Sequence, residues 1–188
     1  MSAPFGSSSN PGEGRTDPIN EAIVEAASTN PDLAAGHMEI INFAIGDDQY
    51  GVDIMSVREI REWSNVTHLP RQQDYVRGVL NLRGVVVPVI DLRCRFGQGL
   101  TECTPTSIII IVHLDDRQIG LLADQVLDIV SFGQDEVQPV PAVGRSNRAR
   151  FLSGLVTVEG TMIALIDLAH LLSEDAANES SPIHLLDA

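Results

Sequence analysis

Residues 76–93 read VRGVLNLRGVVVPVIDLR, and this stretch carries the pattern on which the fold prediction rests. Two short apolar strands meet at Arg83-Gly84, the spacing of a β-hairpin with a two-residue turn. Asp91 follows the second strand, where an aspartate can cap a short helix that begins at Leu92. The stretch therefore predicts a strand, a turn, a second strand and a closing helical turn.

The residues before this stretch alternate between apolar and polar or small side chains. The apolar positions are Ile41, Phe43, Ile45, Tyr50, Val52 and Ile54, interrupted by a turn at residues 46–48. A period of two residues is typical of strands that bury one face, so a first hairpin is predicted here. A third strand is predicted from Val57 to Arg61.

The same pattern occurs twice in the chain. A shift of 76 aligns Gly78, Gly84 and Asp91 with Gly154, Gly160 and Asp167, and a shift of 69 aligns Asp47, Gly51 and Ile60 with Asp116, Gly120 and Ile129. Chance rarely keeps glycine, turn and apolar positions in register over a whole repeat. Each copy is therefore predicted to be a five-stranded unit. Because a small sheet avoids free edges by curling, we predict an all-β fold of two five-stranded β-barrels fused along an apolar interface.

Composition and charge exclude several classes of function. The net charge of −14 and the aromatic content of 4% argue against binding to nucleic acid or to an anionic membrane surface. No apolar stretch is long enough to cross a bilayer, and the two cysteines lack C-x-x-C spacing, so a cytoplasmic protein with reduced thiols is expected. Residues 56–95 carry seven arginines and four acidic residues. This local excess either faces an acidic partner or is solvated.

One aspartate per copy, Asp91 and Asp167, raises the alternative of an enzyme with a two-carboxylate site. The residues that follow are Leu-Arg and Leu-Ala, whereas acid proteases need a Thr/Ser-Gly turn to orient the carboxylate. Helix capping explains both aspartates more simply. The five histidines show no ligand spacing, so we expect no catalytic residue, no metal site and no cofactor.

The two copies differ in charge at equivalent positions. Arg83 in the first copy corresponds to Glu159 in the second, and Arg58 corresponds to Leu127. A guanidinium at a tight turn can donate to a carboxylate or a backbone carbonyl of another chain. The alternative is an exposed arginine that makes no lasting contact.

Three segments of the first copy together resemble the CheW family of bacterial chemotaxis coupling proteins. These segments are Tyr50–Ile54, Val57–Ile60 and residues 76–93, and residues 151–158 and 162–168 of the second copy fit the same family. The resemblance extends from about Met38 to Leu172.

The resemblance implies a pair of intertwined SH3-like barrels that act as a non-catalytic adaptor. It implies binding to the regulatory domain of the histidine kinase CheA and to the cytoplasmic tip of methyl-accepting chemoreceptors, in arrays at the inner face of the membrane. Matching the family motif places contacts with the receptor or the kinase at Val57, Glu59, Gly78, Asn81 and Arg83. The alternative is a CheW-like scaffold for a chemosensory kinase pathway other than chemotaxis.

The domain organisation follows from the repeat and from composition. Residues 1–37, rich in Ser, Pro, Gly and Ala, are predicted to form a disordered arm, within which Asp17 as N-cap and Pro18 at the first helical position can begin one short helix. Residues 38–172 form the CheW-like domain, with barrel one at about 38–97 and barrel two at about 105–172. Residues 173–188 form a C-terminal tail. Removing the arm is expected to leave the stability unchanged.

Overall fold

A computed structural model describes the backbone of residues 18, 20–23, 36–141 and 148–178, and side chains up to residue 173. The strands are β1 His37–Ile45, β2 Asp48–Asp53, β3 Val57–Glu62, β4 Val76–Leu82, β5 Val85–Asp91, β6 Ile108–Leu114, β7 Arg117–Ala123, β8 Gln125–Gly133, β9 Leu152–Val158 and β10 Thr161–Ile166. Helix α1 spans Leu92–Arg95 and α2 spans Leu168–Asn178. Short 3-10 helices occupy Ile54–Ser56, Gln134–Glu136 and Ala149–Phe151.

The strands form two five-stranded sheets with the same topology. Sheet one has the order β3-β6-β7-β5-β4, and sheet two has the order β8-β1-β2-β10-β9. Exchanging β1–β5 for β6–β10 converts one order into the other, so the repeat seen in the sequence is a structural repeat. The predicted all-β, intertwined fold is confirmed. The two copies exchange their first hairpins, and residues 38–97 and 105–172 each contribute strands to both sheets.

Each sheet is closed by a segment that follows one of its edge strands. After β3, Thr67 pairs with Val79 of β4, with N–H···O distances of 2.9 Å in both directions. After β8, Gln138 pairs with Leu155 of β9 at 2.7 and 2.8 Å. These bridges join the two ends of each strand order, which limits the exposure of open edges.

The core consists of three apolar clusters. One contains buried residues of sheet one only, one contains residues of sheet two only, and the largest combines residues of both sheets. Strand β1 contributes Ile40 to the cluster of sheet two and Ile41 to the shared cluster, so both of its faces are covered. The alternation in β1 predicts one polar, exposed face, and this is wrong for Asn42 and Ala44, which are both buried. Because other residues cover both faces of β1, neither face is exposed to solvent.

Part of the N-terminal arm packs against sheet one. Residues 20–23 are helical, at the place where the sequence allows a short helix within the arm. The carboxamide of Asn20 bonds both backbone groups of Ile60, and the side chain of Ile23 is only 3% exposed. A buried isoleucine stabilises the fold, so removing the arm is no longer expected to be neutral. Most of residues 1–35 lie outside the described part of the chain.

Both repeated aspartates cap helices, as predicted. Asp91 precedes α1 and accepts from the backbone N–H of Cys94 at 3.1 Å. It is fully buried and also accepts from the N–H and the hydroxyl of Thr101 at 2.8 and 2.7 Å. Asp167 precedes α2 and accepts from the N–H of His170 at 3.0 Å. These hydrogen bonds satisfy backbone donors that a helix start leaves free.

Candidate functional site

All five residues assigned by the family motif lie on sheet one, at its two edge strands. Val57 and Glu59 belong to β3, Gly78 and Asn81 belong to β4, and Arg83 lies in the turn between β4 and β5. Strands β3 and β4 stand at opposite ends of the strand order. The closing bridge after β3 makes them neighbours, and this brings two segments that are distant in sequence onto one surface.

Glu59 and Arg83 form an ion pair across this surface. The Nη2 of Arg83 lies 3.8 Å from Oε2 of Glu59, and Arg61 approaches the other carboxylate oxygen at 4.0 Å. The side chain of Arg83 is 91% exposed, so water screens the pair and its contribution to stability is small. Most donors of the guanidinium therefore face solvent, where another chain can reach them.

The turn that carries Arg83 is held in a defined conformation. Arg83 and Gly84 both have positive φ, +51° and +90°, as a two-residue type I′ turn requires. The side-chain carbonyl of Asn81 accepts from the N–H of Gly84 at 2.8 Å. Asn81 thus positions Arg83 through the turn. The equivalent turn of the second copy also has positive φ at both positions, +51° at Glu159 in the place of Arg83 and +80° at Gly160.

Gly78 and Val57 make internal contacts. A Cβ at Gly78 would lie 2.4 Å from the carbonyl oxygen of Thr67, so a side chain there would break the bridge that closes sheet one. Val57 is buried and pairs with Val112 of β6. The geometry therefore brings Glu59, Asn81 and Arg83 together at the surface, while Gly78 and Val57 support the strands beneath it.

The sequence reasoning missed two exposed apolar residues beside Arg83. Val85 and Val86 are 49% and 63% exposed, whereas Val87 is fully buried. The signal was present in the run Val85-Val86-Val87, because a strand with one buried face does not need three consecutive valines. The two exposed valines line a groove of about 620 Å³, together with Tyr75, Pro88, Arg117 and Leu172.

The acidic residue of the edge strand has different contacts in the two copies. Glu59 in β3 lies near Arg83 and Arg61, whereas its counterpart Asp128 in β8 accepts from the N–H of Ile129 at 2.7 Å. The second copy has Glu159 at the turn position, so it offers no arginine to its edge-strand acid. The charge reversal between the repeats therefore makes the surface of sheet one chemically distinct.

Two observations concern metal binding and thiol chemistry in the described residues. Within them, no group of three or more His, Cys, Asp and Glu side chains is arranged to hold a metal ion. Burial, together with the nearby carboxylate of Asp91, raises the pKa of Cys94, which favours the thiol over the more reactive thiolate. In the same part of the chain, no helix has the length and apolar character needed to span a bilayer.

Comparison with known proteins identifies the family of the chain. Residues 39–176 match the model of the CheW-like domain. The chemotaxis protein CheW of Rhizobium meliloti (strain 1021) is 40% identical over 72% of this chain and 88% of the relative, and that of Klebsiella aerogenes is 34% identical over 73% and 82%. The crystal structure of the scaffolding protein TtCheW from Thermoanaerobacter tengcongensis superimposes with a TM-score of 0.66 at 32% identity, covering 72% of this chain and 87% of that one. The chain belongs to the family of CheW-like chemotaxis scaffold proteins.

Proposed function

We propose that this chain is a non-catalytic adaptor that couples methyl-accepting chemoreceptors to the histidine kinase CheA in signalling arrays. The observation that carries the proposal is the tip of the β4–β5 hairpin, where an exposed arginine stands beside two exposed valines. Arginines beside apolar side chains are frequent at the centres of protein interfaces. The adaptor would act from the cytoplasm, at the inner face of the membrane.

The hairpin tip suits an acidic partner group. Its type I′ turn is fixed by Asn81, so Arg83 is presented without a large loss of backbone entropy on binding. The ion pair with Glu59 is exposed and weak, so a carboxylate of a partner can compete for the same donors. The local excess of arginine over residues 56–95 favours such a partner in an otherwise acidic chain.

The groove beside the tip supplies the apolar part of the contact. Val85 and Val86 line its wall, and Leu172 of α2 lines it as well. Burial of exposed apolar surface contributes about 25 cal/mol per Å², so a partner that covers the two valines gains affinity in addition to the ion pair. We assign Glu59, Asn81 and Arg83 to the contact itself, and Val57 and Gly78 to its support, without dividing the set between receptor and kinase.

The first prediction is that Arg83→Glu abolishes coupling and leaves the protein folded. The second copy already accepts an acid at this turn position, and exposed substitutions change the free energy of unfolding by less than about 0.5 kcal/mol. Binding should lose about 2 kcal/mol or more, since the donors are removed and an acid faces an acidic partner. The measurement is co-sedimentation of the variant with receptor-bearing membranes and CheA, followed by the rate of kinase phosphorylation.

The matched control is Glu159→Arg, which makes the opposite change in the equivalent turn of the second copy. It should retain both co-sedimentation and kinase stimulation. A folded Arg83→Glu protein that stimulates the kinase fully would remove Arg83 from the site. If the wild-type protein does not bind CheA but binds another histidine kinase of its host, the result would favour a role in a chemosensory pathway other than chemotaxis.

A further inference from the structure

The outer edge of β3 is occupied by a distant segment of the same chain. Ile60 pairs with Ile110 of β6 on one side. On the other side, its N–H donates to Oδ1 of Asn20 at 3.0 Å, and its carbonyl accepts from Nδ2 of Asn20 at 3.1 Å. In an antiparallel ladder, alternate residues direct both backbone groups away from their partner. Asn20 thus satisfies the two groups that a further strand would otherwise bind.

The carboxamide of Asn20 replaces only a single residue of such a strand. Ile23 anchors the segment, since it is buried in the cluster shared by the two sheets. A cavity of about 300 Å³ remains beside Asn20, and its walls include Arg61, Glu62 and Pro105. The edge of β3 is therefore covered at Ile60 and has open space beside it.

The sequence of this edge is complementary to itself. When two copies of β3 run antiparallel with Ile60 opposite Ile60, Glu59 of each copy stands opposite Arg61 of the other. The central pair then exchanges two backbone hydrogen bonds through the groups that Asn20 now binds. Two ion pairs flank it on the face where Glu59 and Arg61 already lie together. Opposite charges at facing positions favour strand pairing, and a two-fold axis provides both pairs at once.

The equivalent edge of the second copy lacks these features. In β8, Asp128 accepts from the N–H of Ile129 and so occupies one of the two outward groups locally. In β8, Val130 and Ser131 occupy the positions of Arg61 and Glu62, so this strand has no acid and arginine that could face each other in a pair of copies. Self-complementarity is therefore a property of β3 rather than of the repeat.

We propose that the outer edge of β3 is a surface for antiparallel pairing with β3 of a second copy, and that the segment of Asn20 and Ile23 is an intramolecular plug that keeps this surface closed. Exposed strand edges associate readily, and proteins commonly cover them. Displacement of the plug then converts a monomer into a symmetric dimer. The inference does not depend on the proposed adaptor function.

The test uses the full chain with Asn20→Ala and Ile23→Asp, which remove the two contacts of the plug. Sedimentation velocity over a range of concentrations measures self-association, and hydrogen exchange reports protection of the Ile60 amide. We expect the variant to dimerise at least tenfold more tightly than the wild type, with the Ile60 amide protected in the dimer. Adding Arg61→Glu should abolish the dimer, because it places carboxylates opposite Glu59.

The matched control adds Glu59→Arg together with Arg61→Glu, which exchanges the charges and keeps them complementary, so dimerisation should return. The proposal is overturned if the plug variant stays monomeric with a rapidly exchanging Ile60 amide, or if its dimer is insensitive to Arg61→Glu. A monomer in which Ile60 remains protected would likewise overturn it, since another group would then cover the edge. If Ile23→Asp prevents folding, Asn20→Ala alone is measured against the same outcomes.

Discussion

At the scale of single residues, Gly78 and Gly84 share a positive φ but differ in the space around them. A Cβ at Gly78 would collide with the carbonyl of Thr67 at 2.4 Å, whereas a Cβ at Gly84 meets no atom within 4 Å. The first glycine is required by the closure of sheet one, and the second only by the geometry of the turn. The conformational cost of a side chain at φ > 0 applies to both, but the steric cost applies to Gly78 alone.

These glycines give a prediction for stability. Gly84→Ala should lower the free energy of unfolding by about 1 kcal/mol, from backbone strain alone. Gly78→Ala should cost about 2 kcal/mol or more, because the bridge to Thr67 must also open. Urea denaturation of the two variants measures the difference. Equal costs would mean that Thr67 can move aside without loss.

At the scale of elements, the two helix caps differ in their surroundings. Asp91 is buried and accepts three hydrogen bonds. Asp167 is partly exposed, and its carboxylate contacts both the backbone N–H and the imidazole ring of His170. Burial raises the pKa of Asp167, but the hydrogen bonds from His170 lower it more, and the net result is a pKa below the ordinary value of 3.8. The ionised cap therefore favours the folded state.

The pH dependence of Asp167→Asn follows from this shift. A carboxyl group whose pKa is lower when folded contributes stability above its unfolded pKa, and this contribution is lost as the pH falls through the folded pKa. The variant should therefore be less stable than the wild type at pH 7, and the difference should shrink below about pH 4. Thermal unfolding of both proteins at several pH values tests this. If the stability difference between the two proteins does not change with pH, the negative charge of Asp167 does not stabilise the helix start.

Much of the architecture could be predicted from the sequence, because strand periodicity and the repeat are local signals. The exchange of hairpins between the sheets follows from the family resemblance alone, since β1 and β6 have the same apolar pattern whichever sheet they join. The ion pair of Glu59 and Arg83 depends on the bridge between Thr67 and Val79, and no sequence pattern predicts this bridge. Asn20 was missed for a similar reason, because a lone asparagine in the N-terminal arm does not reveal that it binds a strand edge.

At the scale of the whole molecule, the exchange of hairpins predicts that neither half of the chain folds alone. Residues 36–103 lack β6 and β7, the centre of sheet one, and residues 104–178 lack β1 and β2, the centre of sheet two. Each half by itself should show no cooperative unfolding transition, because its sheets cannot form. Mixing the two halves should restore the transition, which circular dichroism can follow. A half that folds by itself would show that its strands can pair in another order.

The same exchange determines how the molecule behaves under load. Because of the exchange, the chain passes from one sheet to the other twice, through residues 54–56 between β2 and β3 and through residue 124 between β7 and β8. Both connections are short, so the two barrels are joined covalently at two places and cannot slide along their shared apolar cluster. Two proteins bound to different barrels are therefore held at a fixed angle to each other, and a rotation imposed on one is transmitted to the other as torque.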